Sequence, residues 1–299
     1  MTGVERRRRR LAVAVPSSLV SDTPHLREKT ARVGLLARAA AIFRVDEVAI
    51  YLESPKASRR EAEFLERILL YMDTPQYLRR RIFPVSPEMR YVGVLPPLRT
   101  PHHPLEREQV EPVSYREGLV LSLDRNWAIV DVGRPKPVRI KEVGLLPGSR
   151  VTVKIERSQK GEEFSAIPRD SVPSYWGYDV SFSGRLLGET LKRRKNEMII
   201  MTSKYGRPIS EELVSLKREL REASRLMIIF GSPQEGIKEI LAREGLKPEV
   251  LSKFVLNTVP LQGTETVRTE EAVYATLGLL NIIESEEDEA SKAAPGKEM

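Results

Sequence analysis

Short apolar runs alternate with stretches of helical period at the start of this chain. Residues 11–15 (LAVAV) and 47–52 (EVAIYL) read as strands, with a helix expected between them from near Thr23 and Pro24 to about Phe43. Ser58 and Glu61 have capping-box spacing, which predicts a second helix to about Met72. Such alternation builds a mostly parallel, layered α/β sheet. Five prolines between residues 96 and 112 break the pattern. From Glu117 to Ile167 the period changes to two, with strands expected at 118–123, 127–132, 136–141, 149–156 and 162–167. Turn residues such as Gly133, Gly148 and Gly161 separate them, and five short strands so punctuated predict a small all-β barrel of OB type. Pro168 and Pro173 mark its end, and the α/β pattern resumes from Tyr178 to Ile283. The barrel is therefore an insertion. A discontinuous α/β domain covers 11–94 and 173–283, and the barrel covers 95–172. A basic arm (1–10) precedes them, and an acidic tail (284–299) that is expected to be disordered follows.

Two strand–loop–helix units lie near the end of the α/β part. Residues 226–230 (LMIIF) form a short strand followed by Gly231. Ser232, Pro233 and Glu235 then match a capping box with proline at the first helical position, which predicts a helix starting at Ser232. Gly231 and Gly236 are spaced like P-loop glycines, but Ile237, Lys238 and Glu239 follow instead of Lys-Ser/Thr. Pro233 removes a cradle N–H and Glu235 would repel phosphate. A cofactor without phosphates, bound by backbone amides and carbonyls, fits better. The second unit has a strand at 254–256, then a loop at 257–266 containing Pro260 and Gly263. A helix follows from Thr269, with Glu270 and Glu271 in its first turn and Val273, Leu277 and Leu280 on one face. That loop is long for an α/β connection, and long ordered loops carry function. In open α/β sheets, ligands bind outside the carboxyl ends of the strands.

The segments SYWGYDV (174–180), MIIMTSKYGRPIS (198–210), IIFGSPQEG (228–236) and NTVPLQGTETVRTEEA (257–272) carry a resemblance, as does PHHP (101–104). The chain resembles the SPOUT superfamily of knotted RNA methyltransferases. More narrowly, it resembles the archaeal and eukaryotic branch with an inserted β-barrel, whose members are uridine-N3 methyltransferases of large-subunit ribosomal RNA. The likeness runs from about residue 11 to residue 283. It implies a C-terminal trefoil knot, S-adenosylmethionine as cofactor, and a homodimer with composite sites. By that resemblance Thr202, Gly231, Gly236, Asn257, Thr258, Leu261, Gly263, Thr264 and Val267 would wrap the cofactor. Gly263 is expected where a Cβ would obstruct. Transfer to uridine N3 must release a proton, so a base or an anion stabiliser is needed. Glu265 is the candidate base, Arg268 the candidate stabiliser, and Arg207 would meet phosphate or the target base. Tyr205 and the pair Leu261 and Gln262 depart from the superfamily pattern.

Composition narrows the picture further. With 299 residues, 40% hydrophobic and 30% charged, the chain is that of a globular protein of one to three domains. It has no cysteine, which excludes disulfides, thiolate catalysis and thiolate metal sites, and suits a reducing, cytoplasmic compartment or a hot one. Asn and Gln total nine, which leans toward a thermophile. No apolar run approaches the roughly 18 residues of a membrane span. The net charge is +7: residues 284–299 contribute −4, so residues 1–283 carry +11. Basic clusters occur at residues 6–10, Arg59 and Arg60, Arg79, Arg80 and Arg81, and Lys192, Arg193, Arg194 and Lys195, with single arginines at 90, 99 and 107. Several clusters with a pI near 9.5 point to phosphate contacts, hence to RNA. Tyr71, Tyr77, Phe83 and Tyr91 lie among them and are expected mainly in the core. The barrel offers Trp127, Arg125, Arg134, Lys136, Arg139 and Lys141 as a second RNA contact, although Trp127 is expected rather in the barrel core. His102 and His103 lack partner ligands for a metal, which makes PHHP a structural hinge or an RNA contact. The chain thus reads as an S-adenosylmethionine-dependent RNA methyltransferase acting on a uridine of large-subunit ribosomal RNA, without metal or membrane. The alternative is a non-catalytic RNA-binding ribosome-assembly factor that retains the fold.

Overall fold

The computed structural model describes residues 4–104, 111–141 and 144–293, so Arg107 lies outside it. The chain divides into two compact units. One holds Arg7–Leu69, Tyr91–Pro96 and the chain from Tyr178 onward; the other holds the chain up to Arg6, Leu70–Arg90 and Pro97–Gly177.

The first unit is α/β. Its strands are β1 (Arg10–Pro16), β2 (Glu47–Leu52), β8 (Asp179–Leu186), β9 (Met198–Pro208), β10 (Arg225–Ile229) and β11 (Phe254–Asn257). Its helices are α1 (Leu26–Ile42), the start of α2 (Arg59–Asp73), α4 (Leu187–Lys192), α5 (Ile209–Glu222), α6 (Ile237–Ala242), α7 (Pro248–Leu251) and α8 (Thr269–Ala293). All six strands pair in parallel, in the order β11-β9-β10-β1-β2-β8. All of β2, and β1 beyond Arg10, are buried, as expected for parallel strands covered on both faces. On one face Ala12, Ala14 and Ala49 leave room for Tyr51, Met227 and Ile229 to pack against Leu187 and Leu191 of α4 and Ile237, Ile240 and Leu241 of α6. Each such large apolar side chain contributes about 1.5–3 kcal/mol on burial. The connection from β10 skips β9 to reach the outer strand β11.

The second unit is antiparallel. Its strands β3 (Val113–Asp124), β4 (Trp127–Asp131), β5 (Val138–Lys141), β6 (Arg150–Ser158) and β7 (Gly161–Ile167) follow the expected period-two segments closely. Their order is β5-β4-β3-β6-β7, and the outer strands β5 and β7 approach each other, nearly closing a barrel around Val120, Val130, Ile140, Val153 and Ile155. Helix α3 (Gln76–Ile82) belongs to this unit.

The barrel unit buries charge as well as hydrocarbon. Asp73, 1% exposed, accepts from Arg150 and Arg169, each at 3.0 Å, and lies 3.1 Å from His102. Burial alone would raise its carboxyl, but Arg169, His102 and Arg150 hold it well below the usual carboxylate range. Glu117 receives Trp176 Nε1 at 2.6 Å, Thr152 Oγ1 at 2.8 Å and Arg150 at 2.9 Å. His102 and His103 both donate through Nε2 to the Asp73 carbonyl, at 2.8 and 3.0 Å. The PHHP segment is therefore structural, and among the described residues no cluster of three metal-ligating side chains occurs.

His103 makes this unit sensitive to acid. Burial and the neighbouring His102 push its ring down to about 3, whereas an unfolded histidine titrates near 6.5. Between those values the unfolded chain binds the extra proton, so stability rises with pH and is complete above about 6.5. Urea unfolding should show a lower midpoint at pH 4 than at pH 7, with His103→Gln removing part of the difference; an unchanged difference would reject the assignment.

Two local expectations, the helix start at Ser232 and the disordered tail, give way in the structure. No helix starts at Ser232. Ser232 Oγ does accept from the Glu235 N–H at 3.0 Å, but Ser232 N–H donates back to the Glu235 carbonyl at 2.9 Å, closing a turn. Gly236 is extended, and α6 begins only at Ile237. The basic arm is not free: Arg6 donates to the Val172 and Arg169 carbonyls in the barrel unit. In the α/β unit, Arg7 and Arg9 both pair with Glu284. That carboxylate belongs to α8, which continues to Ala293 into the stretch expected to be disordered, whose residues 294–299 lie outside the described ones. The α2 start, by contrast, forms where read, with the Glu61 N–H donating to Ser58 Oγ at 3.3 Å as one half of a capping box.

Candidate active site

A cavity of about 440 Å³ opens at the carboxyl ends of β9, β10 and β11, wholly within the α/β unit. Thr202–Tyr205, Phe230–Gly236, Asn257–Val259 and the loop to Thr269 surround it, with Gln262, Glu265, Thr266 and Val267 contributing from that loop.

Its floor is fixed by hydroxyls. Three successive carbonyls at the end of β10 each accept one: Ile229 from Thr202 Oγ1 at 2.9 Å, Phe230 from Tyr51 at 2.6 Å, and Gly231 from Thr269 Oγ1 at 3.1 Å. Burial, with Glu53 nearby, pushes the Tyr51 hydroxyl well above its usual range, which keeps it a donor. Gly231 sits in a tight turn, where an added Cβ would lie 3.0 Å from the Glu235 carbonyl oxygen. Glu235 itself is paired with Arg243.

The loop after β11 is held mainly through its carbonyls. Gln262 Nε2 donates to Thr264 and Glu265, Thr264 Oγ1 to Thr266, and Lys204 Nζ to Glu265. Asn257 spans two segments, its Nδ2 donating to the Lys204 carbonyl at 3.0 Å and its Oδ1 accepting from the Val259 N–H. Support through carbonyls spares N–H groups for a ligand.

The loop delivers the chain to α8 in a defined way. Glu271 accepts from the Arg268 N–H at 2.9 Å, the reach-back half of a capping box, which makes Arg268 the cap residue. Buried Thr258 and Thr276 share a hydroxyl hydrogen bond of 2.7 Å, and Glu270 pairs with Arg32 of α1 at 2.6 Å. Arg268 is exposed, and its guanidinium makes no ion pair among the described residues.

The expected site residues divide accordingly. Thr202, Gly231, Gly236, Asn257, Thr258, Glu265 and Val267 line the cavity together. Leu261, Gly263, Thr264 and Arg268 are not on its wall; Leu261 points fully into solvent at φ 57°. A Cβ on Gly263 would meet nothing within 4 Å, so the chain's own packing does not require glycine there. Gly206, by contrast, is required by packing, since its added Cβ would lie 2.6 Å from the Val255 carbonyl oxygen. Lys204, Gln234 and Glu239 also line the cavity and were not singled out from the sequence, because no local pattern marks them.

Among the expected RNA contacts, Lys192, Arg193, Lys195 and Arg80 are exposed. Arg194 is not available, since its guanidinium pairs with Glu47 and Glu197. Arg79 donates to the Thr74 and Met72 carbonyls and covers the Tyr71 ring at 4.5 Å, and Arg81 pairs with Asp131 at 2.7 Å. Arg207 is exposed but pairs with Glu212. Trp127 is not in the barrel core. It stands 42% exposed, with the Arg139 guanidinium 5.3 Å from its ring centre.

Comparisons with known proteins show the family. A family profile described as "Putative RNA methyltransferase" matches residues 10–280. An uncharacterized protein of Halobacterium salinarum is 33% identical over 91% of this chain and 99% of its own length. Proteins named 28S rRNA (uridine-N(3))-methyltransferase from Homo sapiens and Mus musculus are 31% and 33% identical, each over 90% of this chain and over 77% and 75% of their own lengths. With a profile match over nearly its whole length and a cavity at the carboxyl ends of three parallel strands, the chain belongs to this RNA methyltransferase family.

Proposed function

We propose that the protein methylates N3 of an unpaired uridine in large-subunit ribosomal RNA, using S-adenosylmethionine bound at the carboxyl ends of β9, β10 and β11. The observation that carries this reading is the cavity itself, whose walls come from the Thr202, Gly231 and Asn257 segments. Relatives named for uridine-N3 methylation match 90% of the chain. The passage of the chain from β10 past β9 to β11 fits a SPOUT-type trefoil knot, and the barrel's strand order fits an OB fold.

The residues present suit that cofactor. The cavity volume falls in the range of small-molecule sites, roughly 300–1,000 Å³. It has no phosphate cradle, and Glu239 and Glu265 offer carboxylates to a cationic ligand while backbone groups around Gly231 and Asn257 suit adenosine. Bound there, the cofactor supplies an electrophilic methyl group on a sulfonium. Glu265 takes the N3 proton as the methyl arrives, and Arg268 stabilises the uridine anion through its oxygens. Arg207, Lys192, Arg193, Lys195, Arg80 and Trp127 hold the RNA. A homodimer with composite sites belongs to the same reading, and an RNA substrate suits a reducing cytoplasm.

Titration calorimetry tests the cofactor assignment. Saturable binding of S-adenosylmethionine that ATP does not displace is expected, and folded protein that releases no heat on titration rejects it.

A further inference from the structure

We propose that Tyr205 is the stacking platform on which the unpaired acceptor base lies at the mouth of the cavity. The inference rests on the reading of the cavity as a methyl-transfer site. Tyr205 belongs to the cavity rim, yet it is 85% exposed. It reaches that position through an irregularity of the sheet. Pairing of β9 with β11 jumps from Met201 opposite Val255 to Arg207 opposite Leu256, so residues 202–206 leave the ladder as one bulge. Bulges of this kind re-aim side chains next to active sites.

The bulge is well braced. The Tyr205 N–H donates to Ser203 Oγ at 3.2 Å, and the Lys204 carbonyl accepts from Asn257 Nδ2 at 3.0 Å. Gly206 lies so close to the backbone of Val255 that no side chain fits. Lys204 Nζ donates to the Glu265 carbonyl at 3.3 Å and stands 5.1 Å from the Tyr205 ring centre. A large aromatic ring is thus held in water by a rigid support, with an ammonium near it and Arg207 two residues on. That combination suits a planar, polyanionic ligand better than an apolar one.

Stereochemistry explains why a platform belongs there. A ring nitrogen accepts a methyl group in the plane of the base, so the edge must point at the donor. The base must therefore be gripped by its face, and enzymes that modify bases hold the extruded ring by stacking on aromatic side chains. Stacking on Tyr205 leaves the N3 edge free to turn into the cavity, toward Glu265.

The experiment compares oligouridylate with an abasic strand of equal length, measuring affinity by fluorescence anisotropy for wild type, Tyr205→Ala and Tyr205→Phe. Wild type should prefer the strand with bases by roughly 5- to 150-fold, the range that stacking energies of about 1–3 kcal/mol imply. Tyr205→Ala should lose most of that preference and Tyr205→Phe should keep it, with S-adenosylmethionine affinity and sedimentation unchanged in both. Preference retained in Tyr205→Ala, or absent from wild type, overturns the proposal. So does a loss of cofactor affinity or a changed sedimentation coefficient in Tyr205→Ala, which would make the ring a cavity wall or a subunit contact. None of these readouts requires methyl transfer, so an inactive wild type would count against the proposed reaction and not against the platform.

Discussion

Arg268→Ala is expected to lower methyl-transfer turnover by on the order of a hundredfold or more, as for loss of a transition-state donor. Melting temperature and S-adenosylmethionine affinity should be nearly unchanged. The competing role for Arg268 is a surface ion pair with Glu270 or Glu271, worth about 0–1 kcal/mol. Both carboxylates are otherwise engaged: Glu270 holds Arg32, and Glu271 accepts the Arg268 N–H. The backbone of Arg268 is therefore fixed as the cap of α8, while its exposed side chain follows Val267 on the cavity wall. A permanently charged planar group so placed can meet a developing uridine anion without titrating. Arg268→Lys should recover only part of the rate, because a point charge lacks the two parallel donors. Near-normal turnover in Arg268→Ala would leave the anion stabiliser unidentified.

The largest loss of stability is expected from Glu270→Ala. Glu270 and Arg32 are 2% and 5% exposed, and Arg32 Nε and Nη2 lie 2.6 and 3.0 Å from the carboxylate. Arg32 also contacts Asp22, Thr23 Oγ1 and the Leu19 carbonyl, so one guanidinium ties α1 and the segment after β1 to the start of α8. Removing the carboxylate strands a buried cation, which costs about 3–5 kcal/mol. Asp22 remains as a partner, which places the expected value at the lower end. Because Thr269, next to Glu270, anchors the Gly231 carbonyl, the variant should also weaken cofactor binding, and chemical denaturation alongside calorimetry reads both effects. A stability change below about 1 kcal/mol would mean that the pair is solvent-screened.

The parts of the fold legible in the sequence are those written in local period. Strand β5 alternates buried and exposed residues because one face fills the barrel, and β1 beyond Arg10 and all of β2 are continuously buried because both faces are covered. The loop after β11 stood out by length and composition, and its ends do line the cavity. What stayed hidden depends on partners far away in the chain. Ser232 and Glu235 satisfy a capping box by type and spacing, yet the extended Gly236 turns the same hydrogen bond into a closed loop. Arg7 and Arg9 look like a free arm until Glu284 arrives from the other end of the sequence. Gly263 stood out as the glycine of the loop, whereas the steric demand falls on Gly206, where β9 and β11 touch. Trp127 was expected inside the barrel because large aromatics usually are; as the first residue of β4, directly after the β3–β4 turn, it stays exposed beside Arg139.

Incubating unmodified large-subunit ribosomal RNA with the protein and S-adenosylmethionine carrying a deuterated methyl group, then digesting to nucleosides for mass spectrometry, tests the central claim most directly. The account predicts labelled N3-methyluridine, formed far more slowly by Arg268→Ala. Label on another nucleoside or another atom of uridine, or no label from protein that binds the cofactor, would contradict it.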